Sequence, residues 1–234
     1  MPFFSSTTHC VCLACVRVLV RVGQNVVESA LQSVKVSNTV SGYSTLKETA
    51  LGAGASAVEI IPANCIRVSS RFAALCKQPG CPSYGLAPGC PPHAMRPTVF
   101  SDLLAKYVRV LIFKKDVPRE YLLDQRRLAV AKAIHRIAAG VEMAALAQGL
   151  SGASGFAAGS CKELFCPDIS HCVVLGEGQP CLYPDVARPS VSAVGVDVTD
   201  LCNQLGWELI WSGKGKDGQA PSPTALMLGL VLLE

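Results

Sequence analysis

Charge is scarce in this chain. Only 16% of its 234 residues are charged, and 21 Lys and Arg stand against 17 Asp and Glu, a net +4 with no basic block. Such a surface lacks the electrostatic footprint that a phosphate backbone requires, so no nucleic-acid partner is expected. Long apolar runs are missing too. The longest, Val11–Val16 and Ala225–Leu233, fall short of the about 20 residues that span a bilayer, so no membrane span is expected. There is no GxGxxG in strand-to-helix context, no GxxxxGK[ST], no HExxH and no GxSxG, which removes the common dinucleotide, phosphate, zinc-protease and serine-hydrolase readings. Histidines number four (9, 93, 135 and 171), too few for a multi-histidine metal site, and His135 reads as a partly exposed helix residue. With 50% hydrophobic residues, however, the chain can bury a core and is not a disordered segment.

What the chain has in abundance is cysteine: twelve, at 10, 12, 15, 65, 76, 81, 90, 161, 166, 172, 181 and 202. Residues 1–9 contain no Lys or Arg to form the positive start of a secretory signal, so a disulfide scaffold is disfavoured and a reducing, cytoplasmic setting is expected. There the same cysteines read as metal ligands or redox groups.

The fold class expected is α/β or α+β: a single compact domain over 43–234 with a central mixed sheet, flanking helices and two Cys/Gly/Pro-rich loops. Residues 1–42 read as an atypical N-terminal extension. STLKETALGAGA (44–55) predicts a helix capped by Ser44, SAVEIIPA (56–63) a strand, Phe100–Tyr107 a short helix and 108–114 a buried strand. Residues 118–149 predict the main helix, with Leu123, Val130, Ile134, Ile137 and Val141 on one stripe. At about 1.5 Å per residue it would outgrow a small domain, so a break or stop is expected near Gly140 or Gly149. Val198–Leu205 predicts a helix ending at Gly206. WELIW (207–211) and TALMLGLVLL (224–233) predict strands joined by GKGKDGQAPSP, in which Gly213 and Gly215 serve a hairpin turn. The last strand is apolar on both faces, the signature of a central strand covered on both sides.

The chemistry lies in the two loops. The first runs Cys76-x4-Cys81-Pro-Ser-Tyr-Gly-x4-Cys90-Pro-Pro-His93, with seven Pro or Gly between Cys76 and Pro92. The second runs Cys161-x4-Cys166-Pro-x4-Cys172-x8-Cys181. Metal ligation needs deprotonated sulfurs converging from a backbone that turns sharply, and Gly and Pro provide the turns. Cys81, Cys90 and Cys166 are each followed by Pro, as in the Cys-Pro ending of ferredoxin ligand runs, and no pair in either loop has the tight Cys-x2-Cys knuckle of a zinc ribbon. A 4Fe-4S iron-sulfur cluster is therefore placed ahead of zinc, which remains the alternative as a structural site in a module without chemistry.

Four thiols in the second loop would saturate a cluster. Three in the first would leave one iron open to water or substrate, which admits an enzyme using that iron, unless His93, Cys65 or Cys202 is a fourth ligand. Cys10, Cys12 and Cys15 look like part of a ligand run but sit in the extension. Lys162, Arg188 and His171 flank the second loop, either as cations near cluster sulfur or as solvated charges. The spacing is not the Cys-x3-Cys-x2-Cys of radical SAM enzymes.

CPSYGLAPGCPPH, AGSCKELFCPDISHC and PCLYPDVARPSVSAVGVDV together resemble the bacterial and archaeal family of predicted metal-binding proteins termed domain of unknown function 2284, over about residues 43–211. The resemblance implies metal-binding roles for Cys76, Cys81, Cys90, Cys161, Cys166, Cys172 and Cys181, and it implies no reaction. The reading is a cluster-bearing protein with a redox or cluster-dependent accessory role, served by a redox or enzyme partner.

Overall fold

The computed structural model describes residues 42–209 and 222–234. Its frame is a four-stranded sheet in the order β1-β2-β4-β3, where β1 is Ala57–Pro62, β2 Arg109–Pro118, β3 Ser154–Phe156 and β4 Thr224–Leu233. Every strand pairing is antiparallel, where a mixed sheet was expected; the parallel contact is confined to an isolated bridge, Ala157 to Ser190. β2 and β4 pair over their whole lengths, from Arg109 opposite Leu233 to Pro118 opposite Thr224.

The doubly apolar β4 lies inside the sheet, as expected, and each face of the sheet is covered. Val110 and Ile112 of β2, with Leu226, Leu228, Leu230 and Leu232 of β4, pack under helices α3 (Pro97–Leu104) and α7 (Val198–Gln204) through Phe100, Leu104, Leu201 and Cys202. The alternate residues Leu111, Phe113, Val231 and Leu233 pack under helix α1 (42–52) and helix α4 (Arg126–Ala147) through Leu46, Ala50, Ile134, Ile137 and Val141. Side chains alternate across a strand, so two covering layers require two apolar faces. From 43 onward the chain forms one compact unit. Among the described residues no helix is long and apolar enough to cross a membrane.

One glycine is required by this packing. Gly229 of β4 pairs with Phe113, and a Cβ there would stand 2.5 Å from Phe113 Cζ and 2.8 Å from the Phe156 carbonyl oxygen. Gly229→Ala must displace a fully buried ring and is expected to cost about 1–3 kcal/mol, read from the urea midpoint. An unchanged midpoint would contradict this packing.

Several boundaries differ from expectation. Residue 42 is already helical, so Ser44 lies within α1 rather than capping it. The predicted 100–107 helix is α3, which starts at Pro97, a residue suited to the first turn. α4 starts at Arg126 rather than 118; it passes through Gly140 unbroken and, as expected, stops near Gly149, whose φ of +88° suits glycine at a helix end. Leu123 precedes α4 and is 71% exposed, so it is not part of the buried stripe. Residues 207–209 are not strand; the rest of 207–211 and most of the predicted hairpin, with Gly213 and Gly215, lie outside the described residues, as does the segment carrying Cys10, Cys12 and Cys15.

β3 was not predicted, being three residues among glycines. Gly155 is needed there because a Cβ would stand 2.7 Å from Glu142 Oε2 and 3.1 Å from Ala138 O on α4. α4 thus lies tight against β3, at the point where the second cysteine loop leaves the sheet.

Candidate metal centre

The first loop is folded by its own backbone. A single wide turn, Cys76–Gly80, closes with the Cys81 amide donating to Cys76 O at 2.9 Å, which brings the first two thiols to one side. Tyr84 N donates to Cys81 O, and Gly85, at φ +78°, donates to Pro91 O at 2.8 Å, which folds the Cys90 arm back over the turn. Cys76, Cys81 and Cys90 line one cavity of about 360 Å³.

The second loop is tied at its base. Ala157 N donates to Pro189 O and Val191 N to Ala157 O, both at 2.8 Å, so the chain between 157 and 189 leaves and returns at one place. Within it two short helices, α5 (Cys161–Phe165) and α6 (Val173–Gly176), replace the unbroken loop expected. Cys161, Cys166, Cys172 and Cys181 all line a second cavity, also about 360 Å³. The Tyr183 amide donates to Cys181 Sγ at 3.4 Å.

Electrostatics links the thiols both within each loop and across the two loops. Burial, then Cys81 and Cys90, pushes up the Cys76 thiol. Burial, then Cys90, Cys181, Cys172 and Cys166, pushes Cys161 up to about 12. Burial and Cys181 raise Cys166 while Lys162, whose Nζ donates to Cys166 O at 2.6 Å, pulls it down. Half-buried thiols that oppose one another's ionisation lack a counter-charge, which a metal ion supplies: it favours deprotonation of each sulfur it binds.

Ser160 adds an unsatisfied donor. It is 2% exposed and its Oγ meets no partner within ordinary hydrogen-bond limits, although it is close enough to Cys90 to pull that thiol's pKa down against the rise from burial. The donor set and this hydroxyl both fit a metal–sulfur group. Among the described residues, no three His, Cys, Asp or Glu side chains stand close enough together to grip a single metal ion as they are.

The sequence did not mark the remaining lining of the three-cysteine cavity. Arg127 from α4 and Glu163 from α5 pair at 2.6 Å in its wall, beside Tyr84 and Ser160. Arg127 also feels Cys81, which raises its pKa further after Glu163 has done so. Nothing in a helix-face arginine flags this role before the fold is known. His93 is exposed and is not among the residues lining this cavity. Cys202 is fully buried in the core, where burial pushes its thiol up to about 11, and Cys65 lines neither cavity.

All three flanking basic residues, Lys162, His171 and Arg188, line the four-cysteine cavity, and His171 Nε2 lies 2.9 Å from Glu177 Oε1. Arg188 acts as a clamp. Its Nε donates to Glu142 Oε2 at 2.8 Å, its Nη1 to Pro184 O and Ala187 O, and its backbone amide to His135 Nδ1. His135 is therefore fully buried, not partly exposed, and stands edge-on to Phe165, whose ring lies 5.8 Å from that of Tyr183. α4 thus grips the returning end of the loop at Arg188, through both Glu142 and His135.

Burial holds His135 at about 4 against an ordinary 6.5. Above pH 6.5 the ring is neutral whether folded or unfolded, and its contribution to stability is complete. As pH falls from 6.5 towards 4 only the unfolded chain takes the proton, and about 3 kcal/mol is expected to be lost. His135→Gln should flatten that part of the stability–pH curve; an equally steep curve in the variant would assign the slope to other groups.

No curated protein and no solved structure matches the chain. Residues 59–233, which hold both cysteine loops and all of the sheet but the first two residues of β1, match the model of the predicted metal-binding proteins termed domain of unknown function 2284, and the chain belongs to that family.

Proposed function

We propose that this protein is an iron-sulfur protein with two centres, one held by Cys161, Cys166, Cys172 and Cys181 and the other by Cys76, Cys81 and Cys90. The observation that carries the reading is the partition of seven thiols between two cavities, four lining one and three the other. Sulfur-only ligand sets suit iron-sulfur clusters, and an all-cysteine set of four leaves a cluster closed, the form that stores or relays an electron.

The three-cysteine centre has room for a ligand from outside the protein. Its cavity offers no fourth sulfur and no imidazole; Arg127, Glu163, Ser160 and Tyr84 occupy the remaining wall and can hydrogen-bond whatever enters. When bound there, a cluster supplies an iron able to accept that ligand as a Lewis acid. A redox or cluster-dependent accessory role in the reducing cytoplasm, with a one-electron carrier or a dependent enzyme as partner, follows from this chemistry.

Purification without oxygen, followed by iron, labile sulfide and zinc analysis, tests the reading. Iron and sulfide in matching amounts, with brown colour, are expected. A colourless chain with stoichiometric zinc and no sulfide would replace it by a zinc-stabilised module.

A further inference from the structure

The two cavities share one wall. Gly89, Cys161 and Pro189 line the four-cysteine cavity, and their chain neighbours Cys90, Ser160 and Ser190 line the three-cysteine cavity. The partition is a single backbone thick at three places. It is also close-packed: a Cβ on Gly89 would stand 2.9 Å from Pro189 Cα, and Ser190 N donates to Gly89 O at 3.2 Å. α5 lies along it, sending Lys162 and Phe165 to one side and Glu163 to the other. Within the partition sits the buried Ser160 hydroxyl, which has no partner at full hydrogen-bonding distance.

We propose that this partition couples the two thiol sets into one unit, across which an electron held at one set passes directly to the other, with the Ser160 hydroxyl donating to Cys90 Sγ inside it. The inference rests on the iron-sulfur reading above. The transfer oxidises one centre by one electron and reduces the other by one; no bond forms or breaks, and the electron comes from an external low-potential one-electron reductant. A hydroxyl donating to cluster-ligating sulfur stabilises the reduced, more negative state and so raises the reduction potential.

The full chain, prepared without oxygen and loaded with iron and sulfide, is reduced with dithionite and its electron paramagnetic resonance spectrum recorded beside those of Cys90→Ser and Cys172→Ser. The wild type is expected to show a split, broadened spectrum from two interacting spins, and each variant a simple signal from its remaining centre. A wild-type spectrum equal to the sum of the two variant spectra would overturn the coupling. Iron analysis of the same samples separates this failure from the other: a wild type with iron at only one set, or none, overturns the two-centre reading itself.

Ser160→Ala is expected to keep its iron and shift the potential of the three-cysteine centre to a more negative value, with Ser160→Thr restoring it. An unshifted potential in Ser160→Ala would overturn the role given to that hydroxyl.

Discussion

Cys90→Ser is expected to strip the metal from the three-cysteine set and leave the four-cysteine set loaded, so that the purified chain keeps about half of its iron. Cys90 is the best buried of the seven thiols, at 7% exposure, and its three backbone bonds, its amide to Ala87 O and its carbonyl accepting from His93 N and Ala94 N, do not involve its side chain. The serine therefore enters a preserved backbone, and what is lost is the thiolate that the metal requires. With two thiols left, Cys76 half-buried and Cys81 exposed, the site cannot saturate a cluster or shield it from water. Iron and sulfide analysis with far-ultraviolet circular dichroism checks the result: iron should fall while the helical signal stays. Loss of all iron would mean that the two loops hold one shared centre rather than two.

Arg188→Met is expected to destabilise the fold by about 3 kcal/mol and to weaken metal binding at the four-cysteine set with it. The ion pair with Glu142 is 10% and 17% exposed, so removing the guanidinium leaves a carboxylate largely cut off from water and opposed by no cation. The same side chain holds the carbonyls of Pro184 and Ala187, which fix the arm that follows Cys181. Glu142 also accepts from the Gly155 amide in β3, so the damage reaches the sheet. Adding Glu142→Gln removes the stranded charge while keeping an acceptor for Gly155, and the double variant should recover part of the loss. Urea denaturation of the apoprotein separates stability from metal loss. A single variant within measurement error of the wild type would mean that the clamp does not hold this arm.

The ligand loops were legible in the sequence because their signal is chemical and local: cysteines spaced among Gly and Pro can be recognised without knowing what surrounds them. β4 was legible for a different reason. An uninterrupted apolar run of nine residues, Ala225–Leu233, allows few placements other than a covered interior strand. The sheet direction was not legible, since long connections permit either parallel or antiparallel pairing, and here the chain returned antiparallel each time. β3 was hidden because its pairing depends on a glycine that lets α4 approach, a tertiary requirement with no local pattern.

The walls of the site were hidden in the same way. Arg127 and His135 sit on α4 at positions whose periodicity says only which face they occupy, and their partners Glu163 and Arg188 lie 36 and 53 residues away. His135 read as partly exposed because a histidine is ordinarily solvated; in the fold the Arg188 amide bonds its Nδ1 and the Phe165 ring packs edge-on to it, while Nε2 is buried with no partner. The first loop's histidine misled in the opposite direction. His93 follows the third cysteine closely in sequence, yet it points to solvent while Ser160, from the second loop, supplies the polar group beside Cys90.

The claim at the centre of this account is that seven cysteines form two separate metal centres. Native mass spectrometry of the chain isolated without oxygen tests it most directly, with Cys90→Ser and Cys161→Ser alongside. The account predicts two bound metal–sulfur groups on the wild type and one on each variant, with circular dichroism unchanged. A single bound group on the wild type, lost from both variants alike, would contradict it.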